Sequence, residues 1–282
     1  MSEEVSKKYD AYVINLETEE KRWNHMVSEF KDTPLNLIRW VCKKDPNGRG
    51  GWCDVGKSYA DIMRKHMETD PDFKKLCIVF EDDAFRIDDR KTFTERINKI
   101  FPYLEAHAGE YSHFQGGGVY PNPSKIESKD PLIIRCDYIT CTTFTVFGKE
   151  AANSVFDYEK NIKTVDTPID NYIGKQNNGK ILAPFPHLVW QIIGLPSNIS
   201  SEDQKVTLND AFRDSHKTLR DFVNSSGENA QNGGSKKKKS KTYSFYQNVI
   251  SRQKKLRRKL IRSSAPSYRI RKSYHSSTVK LR

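Results

Sequence analysis

Three consecutive carboxylates, Glu81, Asp82 and Asp83, close the apolar run Leu76-Cys77-Ile78-Val79-Phe80. Like charges side by side repel unless a cation, or a ligand carrying one, neutralises them. Hard divalent cations take carboxylate oxygens and bridge to phosphates, so the cluster suits a metal–diphosphate site. It suits equally a solvated acidic turn that caps the next helix, because Asp88 and Asp89 follow closely. The run before the acids has the β-branched and aromatic make-up of a central strand in an α/β sheet. Open α/β sheets bind ligands at the C-terminal ends of such strands, where these acids fall.

Other residues with chemical capacity lie elsewhere in the chain. Asp170 sits in Thr167-Pro168-Ile169-Asp170, where Pro168 suits a first helical turn with Asp166 or Thr167 as its cap. An acid there is a candidate base, or simply a partner for the helix dipole. Arg22 falls near the end of the first predicted strand, within reach of a phosphate or of a surface ion pair. His187, between two prolines and Gln191, is a candidate metal ligand or a loop histidine. Residues 45–51 hold three glycines in four positions but match neither the Walker A nor the dinucleotide-binding pattern, so flexibility is the simpler reading.

The elements that must position these residues read in order. A strand over 9–16 precedes a helix that Thr18 could cap, running to about residue 30. A strand over 35–41, a helix over 54–68 and the strand over 76–80 follow. Strand–helix–strand alternation predicts an α/β fold with a mostly parallel sheet. Beyond the acids the pattern predicts a helix over 91–105 and a strand at 112–115 that runs into Gly116-Gly117-Gly118. Three glycines there would allow a close approach to a ligand, or an unusual turn. Residues 120–131, rich in Pro and Ser, read as a loop, and 132–136 and 142–147 as two strands. A helix over 149–157, an edge strand or extended loop over 181–189 and a helix over 202–223 complete the folded part.

The net charge of +12 is unevenly distributed along the 282 residues. Residues 236–282 carry 17 Lys or Arg and no Asp or Glu, which leaves 31 basic against 36 acidic residues before them. The basic excess therefore says nothing about the partner of the folded part. Five cysteines, none spaced as metal ligands, read as free thiols in a reducing compartment. No apolar N-terminal stretch reads as a signal peptide and no run approaches a membrane span, so the expectation is a cytoplasmic protein, peripheral on membranes at most. Residues 224–241 have the composition of a disordered linker, and 243–262 that of a basic amphipathic helix in need of a surface.

Several of these pieces, in this order, resemble glycosyltransferase family 25, the lipooligosaccharide- and collagen-type galactosyl- and glucosyltransferases. They are Tyr12-Val13-Ile14-Asn15-Leu16 with Arg22, Gly51 to Tyr59 with Ser58, Val79 to Ala84, Pro168-Ile169-Asp170, and Pro186 to Gln191 with Ser197-Asn198-Ile199. Asp54, Val55 and Tyr59 depart from the family pattern. The resemblance implies a GT-A fold over 1–223, with a linker at 224–242 and a basic tail at 243–282. It implies an inverting hexosyltransferase using UDP-glucose or UDP-galactose and Mn2+ or Mg2+, with a glycan, lipid-glycan or protein acceptor. On that reading Asn15, Arg22, Ser58, Glu81 and Asp82 bind the nucleotide-sugar. Asp83 and His187 hold the metal, and Asp170, with Asp166 in reserve, is the base. The tail would meet an anionic membrane or, as an alternative function, nucleic acid or another polyanion through a protein whose α/β domain is degenerate. A nucleotidyltransferase or phosphatase could use the same acids.

Overall fold

The computed structural model describes residues 7–42, 51–162, 167–192, 195, 204–228 and 239–262. Most of the 45–51 loop, Asp166, Ser197-Asn198-Ile199 and residues 263–282 lie outside that set.

A six-stranded sheet forms the centre. Its order is β2 (Leu35–Cys42), β1 (Tyr9–Leu16), β3 (Cys77–Glu81), β6 (Leu132–Phe147), β5 (His113–Lys129) and β7 (Ile181–Pro184). β1 runs parallel to β2 and β3, and β5 parallel to β7, while β6 alone runs against its neighbours. The expected mostly parallel sheet flanked by helices is therefore present.

Alternation along the strands sorts side chains to the two faces. Ala11, Val13, Ile78, Phe80, Phe144 and Val146 pack against α1 (Glu20–Glu29) and α3 (Arg90–Ala106). Ile14, Cys77, Val79 and Phe147 pack on the opposite face, against α2 (Gly51–Thr69), α4 (Lys149–Asn161) and α5 (Ile169–Gln176). Phe80 and Phe144 stack at 4.3 Å in the first of these cores. Asp89, not the Glu81–Asp83 cluster, caps the helix that follows, its carboxylate accepting the Thr92 N–H at 2.9 Å. The cluster is thus left with another role.

Several expectations are corrected. The stretch 120–131 is not a loop: β5 continues through it as far as Lys129, and the two strands expected over 132–147 are one. The resulting hairpin bends so that its two ends embrace β7, with register shifts along its length. Its glycines make room for the protein itself, not for a ligand or a turn. A Cβ on Gly116 would lie 2.1 Å from the Phe144 ring, and one on Gly117 2.2 Å from the Val189 carbonyl. The helix expected over 202–223 runs on as α6 (Gln204–Glu228), into the predicted linker.

A second, two-stranded sheet pairs β4 (Ala84–Arg86) with β8 (Val189–Gln191), antiparallel, Ala84 opposite Gln191. α6 and α7 (Lys239–Arg262) cover it, burying Phe85, Trp190, Ile192, Phe212, Val249 and Leu260 together. The basic helix thus finds its apolar partner within its own chain. No helix among the described residues is long and apolar enough to cross a membrane.

Candidate functional site

A cavity of about 120 Å³ opens at the C-terminal ends of β1 and β3. Its walls include Asn15 and Leu16 from β1, Arg22 from α1, Cys42 from β2, Gly51, Asp54 and Val55 from the first turn of α2, the acids Glu81 to Asp83, and Gln191 from β8. Parallel neighbours bring the ends of β1 and β3 to one edge, and the antiparallel β4–β8 pair returns Gln191 to the same place.

The three acids are not equivalent. Asp82 is spent on internal partners: Arg22 Nη1 donates to its Oδ1 at 2.9 Å, and Asn15 Nδ2 to its Oδ2 at 2.6 Å. Asn15 is spent as well, donating to the Glu19 carbonyl at 3.1 Å and accepting from Arg39 Nε at 2.8 Å. Asn15 and Arg22 therefore hold Asp82 in the cavity wall. Asp83 has one donor, Gln191 Nε2 at 2.8 Å on Oδ2, and its covered Oδ1 finds no hydrogen-bond partner among the described residues. Loss of water pushes Asp83 up to about 6; Arg22 pulls the other way, and Asp82 adds to the rise. Glu81 accepts from Thr142 Oγ1 at 2.7 Å. Loss of water, then the charge of Asp83, lifts it to about 8, with smaller contributions from Asp170 and Asp82. A covered carboxylate oxygen without a donor is costly in a folded protein. Such a group fits a cation.

Asp170 is tied to the same strand, β6, that binds Glu81, but it is not part of the cavity wall. Its Oδ2 accepts from Thr140 Oγ1 at 2.8 Å and from the Cys141 N–H at 3.1 Å, and its Oδ1 from the Asn171 N–H at 2.9 Å. Thr140 and Thr142 lie two residues apart, on one face of β6, so Asp170 and Glu81 grip neighbouring positions of the same strand. Cys141 between them has φ of 85°, a left-handed conformation that costs a non-glycine residue about 1–3 kcal/mol.

Two expected residues are not brought together with these. Ser58 is buried within α2, its hydroxyl turned back onto the Asp54 carbonyl at 3.0 Å, and it is not part of the cavity wall. His187 lies before β8, at the far end of that strand from Gln191. It is fully buried, with Nε2 2.9 Å from Ser215 Oγ of α6, and burial lowers it to about 3. The expectation that His187 joins Asp83 is therefore corrected: Gln191, not His187, is the residue of that segment that reaches Asp83.

Sequence reasoning missed Arg39 and Thr142 as supports, and gave Gln191 no role. A charged residue within the apolar 35–41 run was the available signal for Arg39. Among the described residues no group of three or more His, Cys, Asp or Glu could hold a metal alone. One or two carboxylates, with substrate phosphates completing the shell, is however an ordinary arrangement for Mg2+.

Fold and site together define an α/β protein with an acidic cavity at the C-terminal ends of β1 and β3. No family model and no curated protein matches the chain. Among solved structures it is similar to a glycosyltransferase involved in the glycosylation of the major capsid of PBCV-1, with a TM-score of 0.33 and 10% identity, over 56% of this chain and 69% of that one. At that level of likeness the activity of one says nothing about the other.

Proposed function

We propose that this protein is a metal-dependent inverting glycosyltransferase of GT-A type. It moves a hexose from UDP-glucose or UDP-galactose to a hydroxyl of a glycan, lipid-linked glycan or protein. The carrying observation is the inequality of the acids: Asp82 is locked by Arg22 and Asn15, while Asp83, which also lines the cavity, keeps a covered carboxylate oxygen without a donor among the described residues. The ordered resemblance to family 25 supports the same reading.

In this reading Asp83 would hold Mn2+ or Mg2+ beside the diphosphate of the donor. The ion supplies charge neutralisation and Lewis acidity as the nucleotide departs. The first turn of α2 in the cavity wall favours phosphate, because helix N-termini attract anions. Glu81 faces the ribose or the ion. Asp170 accepts the proton of the acceptor hydroxyl as that oxygen attacks the anomeric carbon and the bond to the diphosphate breaks. Its Oδ1, with a single donor, is the oxygen with room for that proton.

The test is a thermal-shift panel of UDP, UDP-glucose, UDP-galactose and GDP-mannose, each with and without Mn2+. A Mn2+-dependent rise with the UDP-sugars, on the order of 5 °C at a hundredfold excess over Kd, is expected. It should vanish in Asp83→Ala. No shift with any nucleotide, metal present or absent, would end the proposal.

A further inference from the structure

α7 presents two faces of different character. Val249, Gln253 and Leu260 are buried against the domain, and Leu256 is packed beside them. Gln253 Nε2 donates to the Gln191 carbonyl at 2.9 Å, and Arg252 donates to the carbonyls of Arg86 and Asp88 at 2.7 and 3.0 Å. The helix is therefore held in one orientation by polar contacts as well as apolar ones. At 100° per residue the opposite face carries Lys254, Lys255 and Arg258, with Lys259 on the flank beside Arg252, all four exposed. None of these four takes part in an ion pair with another described residue. No Asp or Glu occurs in the sequence after Glu228.

From sequence alone such a helix could insert its apolar side into a bilayer. The fold leaves less room for that, because Val249 and Leu260 are already covered, in one cluster with Phe85, Trp190 and Phe212. What faces outward is mainly charge, with Ile261, 43% exposed, at its edge. We propose that the outer face of α7 docks the folded protein onto an anionic lipid surface electrostatically, without insertion. This goes beyond the catalytic reading and does not depend on it.

A lipid surface fits better than nucleic acid on two counts. A planar partner touches only this face, whereas a polyanion that wraps would meet a body whose residues 1–235 carry more acids than bases. Single-strand binding also draws on aromatic side chains interleaved with the charges. Among the residues whose side chains are described the one exposed large aromatic is Tyr120, on the β5–β6 hairpin, and the charged stretch 248–262 contains none. Lys and Arg near an anionic leaflet each add roughly a fivefold gain in partitioning, so four give on the order of several hundredfold.

The experiment is co-sedimentation of the full chain with phosphatidylcholine vesicles, with or without 30% phosphatidylserine, from about 0.05 to 0.5 M salt. Phosphatidylserine-dependent binding, lost at the high-salt end because the Debye length shrinks, is expected. Brominated lipids should leave tryptophan fluorescence unquenched. Changing Lys254, Lys255, Arg258 and Lys259 to Gln should weaken binding by roughly a hundredfold or more at low salt, with Tm unchanged. Should that variant prove unstable, the salt and quenching series on the unaltered chain still decide.

Four results overturn the proposal: binding to pure phosphatidylcholine, salt-resistant binding with quenching, full binding by the variant, or a single-stranded RNA oligonucleotide held more tightly than vesicles at the same salt. In a second variant, Lys236, Lys237, Lys238 and the basic residues after 262 are changed to Gln. If it loses binding that the first retains, the attribution to α7 falls as well.

Discussion

Two carboxylates, the buried Glu29 and the half-buried Asp83, illustrate opposite uses of a charge withdrawn from water. Glu29, at the end of α1, is buried and paired through one of its oxygens. Its Oε1 accepts the Arg86 N–H at 2.9 Å and Arg252 Nη2 at 2.5 Å, with Arg86 Nε at 3.4 Å. Asp83, in the turn after β3, has one neutral donor and an oxygen left over. Burying a charge costs several kcal/mol unless it is paired and hydrogen-bonded. Glu29 meets that cost within the chain and so fastens α1, β4 and α7 together. Asp83 leaves it unmet, which is the condition for recruiting something from outside.

The widest separation between the two should come from removing each charge. Asp83→Ala should lower transfer from a UDP-sugar by more than a thousandfold, with Tm held or raised, since an uncompensated acid leaves. Glu29→Gln should do the reverse. It strands the buried Arg86 beside Arg252, costing about 3 kcal/mol of stability, while activity per folded molecule persists. Paired denaturation curves and initial rates check this; matching profiles for the two variants would erase the distinction.

Asp170 tests whether a carboxylate with three internal donors belongs with Glu29 or with Asp83. As a base, its change to Asn should cut transfer by roughly 10²–10⁴-fold while UDP-sugar binding stays intact. As a mere clasp on the left-handed Cys141, the change should lower Tm and leave the rate per folded molecule alone. Measuring rate and titrating donor on the same preparation separates these outcomes.

The unmet acids should also leave a mark on stability against pH. Glu81 and Asp83 titrate near 4.5 and 3.8 when unfolded, but burial lifts them to about 8 and about 6 in the fold. The folded state therefore binds more protons within those windows. The contribution is fully present below about pH 4 and is lost as pH rises through 6 and then 8. Ligand-free protein should lose stability between pH 5 and 8.5, by up to about 1.4 kcal/mol per pH unit for each carboxyl. Mn2+ with UDP, which favours the ionised acids, should rescue it most at the alkaline end. A Tm that climbs over that range would contradict the assignment.

How much of this could be seen in the sequence follows from what each residue answers to. β1, β2, β3 and the helices around them answer to local periodicity, since both faces of the sheet are covered and the apolar pattern is continuous. The acids stood out because they interrupt that pattern. The distal part of β5 did not read as a strand: Tyr120, Asn122 and Ser124 are exposed and the residues that alternate with them, Pro121 and Pro123, are only half-buried prolines, so no apolar alternation marks it. Its pairing with β6 is non-local. His187 and Gln191 are four residues apart and similar in polarity, yet β8 sends one beneath α6 and the other to Asp83. Only the β4–β8 register, fixed by tertiary contacts, decides between them. Nor could the seat of the basic helix be foreseen, because its amphipathic pattern fits a membrane as well as it fits the groove beside Trp190.

That seat supplies the smallest and finest probe of the comparison. Arg252 joins the paired acid to the covering helix and is itself only partly buried, so Arg252→Met keeps much of the stem's packing while deleting one of Glu29's donors. Arg86 stays in place, and the loss should be about 1–2 kcal/mol, well short of that for Glu29→Gln. The two changes should also be non-additive, because they share one partner: combined, they should cost less than the sum of each alone. Additive losses in a double-mutant cycle would mean that Arg252 stabilises α7 through the carbonyls of Arg86 and Asp88 and not through Glu29. The charge at Glu29 would then be balanced by Arg86 alone, and its contrast with Asp83 would narrow to a single ion pair.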